Sequence, residues 1–266
     1  MLKDITIGQY FPGKSFLHRM DPRMKIILTT AFIVLLFIVG NWMGFVISIG
    51  FLITAIAVSQ IPFLLVLKGV KPIIPLVIFT SVLNIFFVDG QVLLSIGFLR
   101  ITLEGVLLAL KMTIRIICLI MGTSLLTYTT SPIALTDAIE RLLKPLNKIR
   151  FPVHEMAMMM TIALRFIPTL IEETDKIMSA QKARGADLES GNLLQRAKAL
   201  VPILIPLFVS AFRRAEELAL AMECRCYHGG EGRTRMRQLS MSRLDFYGAA
   251  ITALCFIAVI VANLLL

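Results

Sequence analysis

Apolar residues fall in blocks along this chain. Residues 26–40 and 42–58 are almost entirely apolar and meet at Gly40, Asn41 and Trp42. That break predicts two closely joined membrane-length helices rather than one very long one. A third block, 61–88, is interrupted early by Lys68, Lys71, Pro72 and Pro75. Its clean part, IIPLVIFTSVLNIFFV, is short for a span, so a kinked or interfacial entry is expected. The fourth block covers 105–127 and the fifth 246–266. Lys111 and Arg115 stand four apart in the fourth, which places both on one helical face. Charge facing lipid is costly, so that face must look toward protein, water or the membrane boundary.

Between the fourth and fifth blocks the pattern becomes amphipathic. SPIALTDAIERLLKPL begins with Ser131-Pro132, a favourable helix opening with proline in the first turn. A methionine-rich helical pattern follows over 153–184, and another over 193–225, where Pro202 and Pro206 predict a kink. Pro152 and Pro168 are further expected bend points. The expected fold is an all-α polytopic membrane protein, with about five transmembrane helices and a cytoplasmic module of long amphipathic helices. Residues 1–128 hold the N-terminal segment and the first four spans, 129–243 the amphipathic module, and 244–266 the last span.

Composition and charge orient this picture. Hydrophobic residues make up 57% of the chain and mean hydropathy is +0.83, against about 45–50% apolar in soluble domains. The 27 lysines and arginines outnumber the 17 acids, for a net charge of +10. A nucleic-acid binder could share that charge but not runs such as IILTTAFIVLLFIVG, so the basic excess is read as membrane topology and no nucleic-acid partner is expected. Lys3, Lys14, Arg19, Arg23 and Lys25 precede the first block, Lys68 and Lys71 follow the second, and 17 of the 27 basic residues lie in 129–243. Five spans starting inside put each of these stretches in the cytoplasm and the C-terminus outside the cell membrane. The N-terminus does not read as a signal peptide. Cys118 and Cys255 sit in apolar blocks, while Cys224 and Cys226 have only His228 nearby, which is not the two separated ligand pairs of a zinc site.

The two long amphipathic patterns close alike, with IEETDKIMSAQKARGAD ending at Asp187 and SAFRRAEELALAMECRCYHGG ending at Gly230. Arg184 and Arg225 are 41 residues apart. Gly185 follows the first and Gly229-Gly230 follow the second, as helix stops that permit a left-handed cap. An arginine near a helix C-terminus is electrostatically comfortable wherever it occurs. Small neighbours, Ala183 and Gly185 at one end and Cys224 and Cys226 at the other, also leave each guanidinium fork open to carboxylates or carbonyls of a partner. Two such knobs suit two similar grooves.

FLHRMDPRMKI at 16–26, KARG at 182–185 and CRCYHGGEGRT at 224–234 together resemble the transmembrane T component of energy-coupling factor transporters, ABC-type importers of vitamins and transition-metal ions. The resemblance covers essentially the whole chain. The family pattern near the start is met by Leu17, His18, Arg19, Met20, Asp21, Pro22, Arg23, Met24 and Lys25. At the second arginine, Cys224 stands where alanine is usual, and Cys226 follows. The resemblance implies a non-catalytic scaffold for vitamin or micronutrient uptake that binds no cofactor itself. ATP and Mg would be bound by two cytoplasmic ABC ATPase subunits, expected as a non-identical pair, with Arg184 and Arg225 seated one in each. Motion would pass to a separate membrane substrate-binding S component, one at a time. Met156, Met159, Met160 and Leu164 form an adaptable surface that could face this S component, or ordinary helix–helix core. Asp21-Pro22 suits the start of the first membrane-entering helix. Arg19, Arg23 and Lys25 suit phosphate headgroups or cytoplasmic helices, and His18 an interface hydrogen bond; the motif is structural or part of the coupling path.

Three rival classes are weaker. His18, His154 and His228 show no metalloprotease spacing and no Walker A motif is present, so neither intrinsic enzyme activity nor ATP hydrolysis by this chain is expected. A stand-alone secondary transporter would need its own mid-membrane polar site, for which Asn84, Lys111 and Arg115 are the candidates. A conventional ABC permease inserts short coupling helices, for which 129–243 is too extensive.

Overall fold

The computed structural model describes residues 10–96, 99–149, 151–186, 192–229 and 239–265. Its helices are α1 (Phe16–Arg19), α2 (Pro22–Ile38), α3 (Trp42–Ser59), α4 (Phe63–Val70), α5 (Ile74–Phe87), α6 (Leu103–Thr129), α7 (Pro132–Leu143), α8 (Val153–Ala183), α9 (Leu193–Glu223) and α10 (Arg243–Leu265). The chain divides into two compact units, Gly8–Ala138 with Gln238–Leu266, and Met1–Ile7 with Ile139–Arg237.

The first unit is a membrane-type helical bundle. Trp42–Ser59, Phe63–Phe87, Leu103–Thr129 and Arg243–Leu264 are long and apolar enough to cross a membrane. The first expected span is α2, 17 residues long, about 25 Å at 1.5 Å per residue. In the third block, α4 and α5 are joined by one 3-10 turn at Lys71–Ile73 that absorbs Pro72. The usable stretch is therefore the whole of Phe63–Phe87, 25 residues, and longer than the clean run alone.

Three cations of this unit meet the end of a neighbouring helix. Lys25, on the first turns of α2, donates to Thr129 O at 3.0 Å and Thr130 Oγ1 at 3.3 Å, at the C-terminus of α6. Reciprocally, Arg115 and Lys111 of α6 donate to Val39 O at 2.8 Å and Gly40 O at 3.1 Å, just past the end of α2. The two helices therefore run antiparallel, each supplying positive charge to the other's negative end. Arg115 also stacks over Phe45 and Lys111 over Trp42, both at 5.6 Å. The face expected to look toward protein does so. Between these ends Gly122 allows close approach, since a methyl there would sit 2.9 Å from a Phe32 ring carbon. The core gathers Phe32, Leu35, Leu36, Phe45, Leu52 and Val259. Helix α10 runs parallel to α2, with Asp245 at its start bonded to Asp21 and Asn263 at its end donating to Ile38 O at 3.0 Å.

One departure from an all-helical chain lies in the connection at 89–104. It holds a β-hairpin, β1 (Val92–Ile96) antiparallel to β2 (Leu99–Thr102). Thr102 ends it and caps α6, its hydroxyl accepting from Gly105 N at 3.1 Å and donating to Val88 O at 2.7 Å.

In the second unit α8 and α9 pack antiparallel. Arg214 pairs with Glu173, and nearer the end of α8 the amide of Gln181 donates to Pro202 O at 3.2 Å. Both helices continue through their internal prolines, Pro168 in α8 and Pro202 and Pro206 in α9.

Candidate functional site

The two arginine ends share one backbone closure. After α8, Gly185 takes φ +85°. Its N–H donates to Lys182 O at 3.0 Å, and Ala186 N donates to Gln181 O at 3.0 Å. After α9, Cys226 takes φ 56°. Its N–H donates to Glu223 O at 2.8 Å, and Tyr227 N donates to Met222 O at 3.0 Å. This pair of nested bonds around a left-handed residue satisfies the last orphan carbonyls of a helix. In both cases the arginine immediately precedes the left-handed residue. Arg184 and Arg225 are exposed, and so are Ala183, Gly185, Cys224 and Cys226 around them. The 41-residue spacing is thus a repeat of geometry as well as of letters.

The second stop is not where the glycines suggested. Cys226 is the left-handed residue, and Gly229, at φ +98°, comes three residues later. Gly230 and the rest of the GGEGRT stretch lie outside the described residues, as does Asp187. The closure forms at the first residue that can complete both bonds, and there it carries a Cβ. A side chain in this conformation costs about 1 kcal/mol that glycine avoids. Cys226→Gly should therefore slow amide exchange at positions 226 and 227 about fivefold. Unchanged exchange would show that this strain does not limit the helix end.

The same 41-residue shift relates the helices where they touch. Arg214 donates to Glu173 at 2.8 Å, and Ser210 donates to the other oxygen of that carboxylate. Positions 173 and 214 differ by 41, like 184 and 225, so each arginine end lies eleven residues beyond its member of the pair. That is about 16 Å of helix on each side at 1.5 Å per residue. Because α8 and α9 are antiparallel, the two ends extend in opposite directions from this contact. The Ser210 hydroxyl, and after it Arg214, hold the Glu173 carboxyl below its ordinary value of 4.5, against an opposing desolvation. The pair's contribution is present above that ordinary value and is lost as pH falls through the lowered one.

The N-terminal motif is a tightly bonded corner. Asp21 caps α2 by accepting from Arg23 N at 2.9 Å, with Pro22 in the first turn. The Arg23 guanidinium grips the same carboxylate, at 2.6 Å through Nη2, and reaches Leu239 O at 3.3 Å. His18 bonds Ser15 Oγ at 2.7 Å and Phe11 O at 2.9 Å. Arg23 and Lys25 are thus engaged with groups of the fold, and Arg19 alone of the three is exposed.

The residue that the motif reading missed is Asp245. It is 1% exposed, accepts from Asp21 N at 2.7 Å, and accepts from Ser242 N and Oγ at 2.7 and 2.9 Å. It ties the first and last long helices of the bundle together. Its local signal was present: Ser242 and Asp245 stand three apart, a capping box with aspartate in place of glutamate.

On α8, Met159 and Met160 are exposed while Met156 and Leu164 are half-buried. On α9, Val201, Leu204, Ile205, Phe208 and Phe212 are exposed, and the last two rings stack at 6.5 Å. Exposed apolar side chains of this kind mark candidate interaction surfaces on each helix.

The cobalt transport protein family matches residues 13–236. Among curated relatives, the energy-coupling factor transporter transmembrane protein of Ruminiclostridium cellulolyticum is 58% identical over 252 residues, covering 95% of this chain and 94% of its own. The protein of the same name from Clostridium kluyveri is 57% identical over 267 residues, covering 100% and 97%. That of Bacillus subtilis is 48% identical over 246 residues, covering 92% and 93%.

Proposed function

This chain belongs to the family of energy-coupling factor transporter transmembrane proteins, and from that premise we propose that Arg184 and Arg225 are the two points at which it is driven. It is the transmembrane component of such a transporter. Each guanidinium seats in one cytoplasmic ABC ATPase subunit of a non-identical pair and meets carboxylates there. ATP and Mg belong to those subunits. Closure of the motor pair changes the separation of the two helix ends, and the contact at Glu173, Ser210 and Arg214 is where α8 and α9 bear on each other as they move. The motion passes to a separate membrane S component, docked one at a time on the α8 surface of Met156, Met159, Met160 and Leu164. The N-terminus lies in the cytoplasm with the arginine ends, and the C-terminus outside. Supporting this orientation, α6 ends and α10 begins at the same end of α2, where Lys25 meets Thr129 and Asp21 meets Asp245.

The observation that carries the reading is the identical closure of two helix ends 41 residues apart, each presenting an exposed arginine. Its test is a mild-detergent pull-down of the tagged chain from its native membrane, with mass spectrometry of everything retained. The wild type should bring down two ABC ATPases and one or more small membrane proteins. The Arg184→Ala/Arg225→Ala chain should lose the ATPases and keep the membrane partners. ATPases retained at the wild-type level would remove the arginines from the motor interface.

A further inference from the structure

Within the first unit, α1, α2, α3, α6 and α10 enclose a groove of about 420 Å³, a size typical of small-ligand sites. Its walls are carbon. Phe32, Phe51, Leu52 and Leu125 line it, and three of the four threonine hydroxyls in its lining are tied back to their own helices: Thr54 to Phe51 O at 2.7 Å, Thr129 to Leu125 O at 2.8 Å and Thr252 to Gly248 O at 2.9 Å. The Lys25 amine is turned onto Thr129 and Thr130. The groove therefore offers no unpaired donor among these groups, and α3, α6 and α10 around it are long and apolar enough to lie in hydrocarbon.

One end of the groove is different. Phe16, Leu17 and Met20 form its wall there. Lys14 and Arg19, beside them in the chain, are exposed, and neither side chain has a hydrogen bond or ion pair among the described residues. Two uncommitted cations next to a hydrocarbon slot match the anatomy of an anionic phospholipid, with acyl chain inside and phosphate outside. We propose that this groove holds one acyl chain of an anionic glycerophospholipid whose headgroup phosphate is met by Lys14 and Arg19. The inference needs the spans but not the arginine ends, so it stands or falls apart from the coupling proposal.

The test uses the intact transporter in nanodiscs containing phosphatidylglycerol and phosphatidylcholine with identical chains, each in turn carrying a trace of a diazirine on the acyl tail. Photolysis of the phosphatidylglycerol probe should label peptides containing Phe51 and Leu125. The phosphatidylcholine probe should label them about tenfold less. Lys14→Gln/Arg19→Gln, a surface change, should abolish that preference. Ala55→Phe, which fills the groove wall, should remove the label while leaving labelling of the outer face at Phe79 intact. Labelling spread evenly over outward-facing residues such as Leu76, Phe79 and Ile257 would overturn the site. So would exclusion of both probes by a partner subunit's segment crosslinked there. Equal labelling by both lipids would overturn the anionic assignment, and the Gln variant decides that point even if Ala55→Phe does not fold.

Discussion

Asp245→Ala should unfold about 10 °C below the wild type in detergent, followed by helical circular dichroism, a loss of roughly 3–5 kcal/mol. The carboxylate is 1% exposed and accepts three hydrogen bonds, from the Asp21 amide and from the amide and hydroxyl of Ser242. Alanine removes the acceptor and leaves two backbone N–H groups without it, each in a site that water does not reach freely. An orphaned buried donor costs about 1–3 kcal/mol, and bonds to a charged acceptor are the stronger kind. The loss spreads because Asp245 touches the same residue, Asp21, that caps α2 and holds Arg23, and Arg23 in turn reaches Leu239 just ahead of α10. Removing one carboxylate therefore loosens the start of the first long helix and the entry to the last together. Asp245→Asn should fall between the two. Its remaining oxygen can still accept from Asp21, but its amide turns a donor toward the Ser242 donors. A midpoint within about 2 °C of wild type for the alanine variant would mean that the corner is held by packing alone.

That corner also marks the limit of what local pattern could reveal. The blocks at 26–40, 42–58, 105–127 and 246–266 became α2, α3, α6 and α10 because burial in hydrocarbon imposes composition and length on every residue of a span. Ser131-Pro132 and Asp21-Pro22 became helix starts because capping is decided within a few residues. Lys111 and Arg115 announced a protein-facing side by their cost in lipid, but not that their partners would be the carbonyls at the end of α2. The bond from Asp21 to Asp245 spans 224 residues and leaves no trace in spacing. The β-hairpin at 92–102 was invisible for a different reason: it is short, and a five-residue apolar strand looks like the apolar sequence on either side of it. At the second arginine end, the glycines drew attention because glycine is the usual left-handed residue, whereas the chain placed a cysteine there. The equivalence of Glu173 with Arg214 escaped notice because the 41-residue shift exchanges the sign of the charge instead of repeating it. An alignment by similarity discards that relation, while contact geometry depends on it.

Uptake is where the arginine ends should show their largest effect. In vesicles holding the whole transporter, Arg184→Ala or Arg225→Ala should each lower ATP-dependent uptake about 10- to 100-fold, as expected for loss of one charge-assisted, fork-shaped contact worth roughly 1.5–3 kcal/mol. The double variant should fall to background. The effects should not add independently, because each helix end bears on the other through the pair at Glu173 and Arg214. Lysine keeps the charge and loses the planar fork, so Arg184→Lys and Arg225→Lys should be impaired if geometry matters; full uptake in both would reduce the requirement to positive charge. Gly185→Ala separates side chain from backbone. At φ +85° it strains the closure, yet an added methyl meets nothing within 4 Å, so uptake should fall only a fewfold, for about 1 kcal/mol. A loss at Gly185→Ala as deep as that at Arg184→Ala would shift the essential feature from the guanidinium to the shape of the helix end. Wild-type uptake in the double alanine variant would remove both ends from the drive path, leaving them as two well-capped helix termini with arginines where the helix dipole favours them.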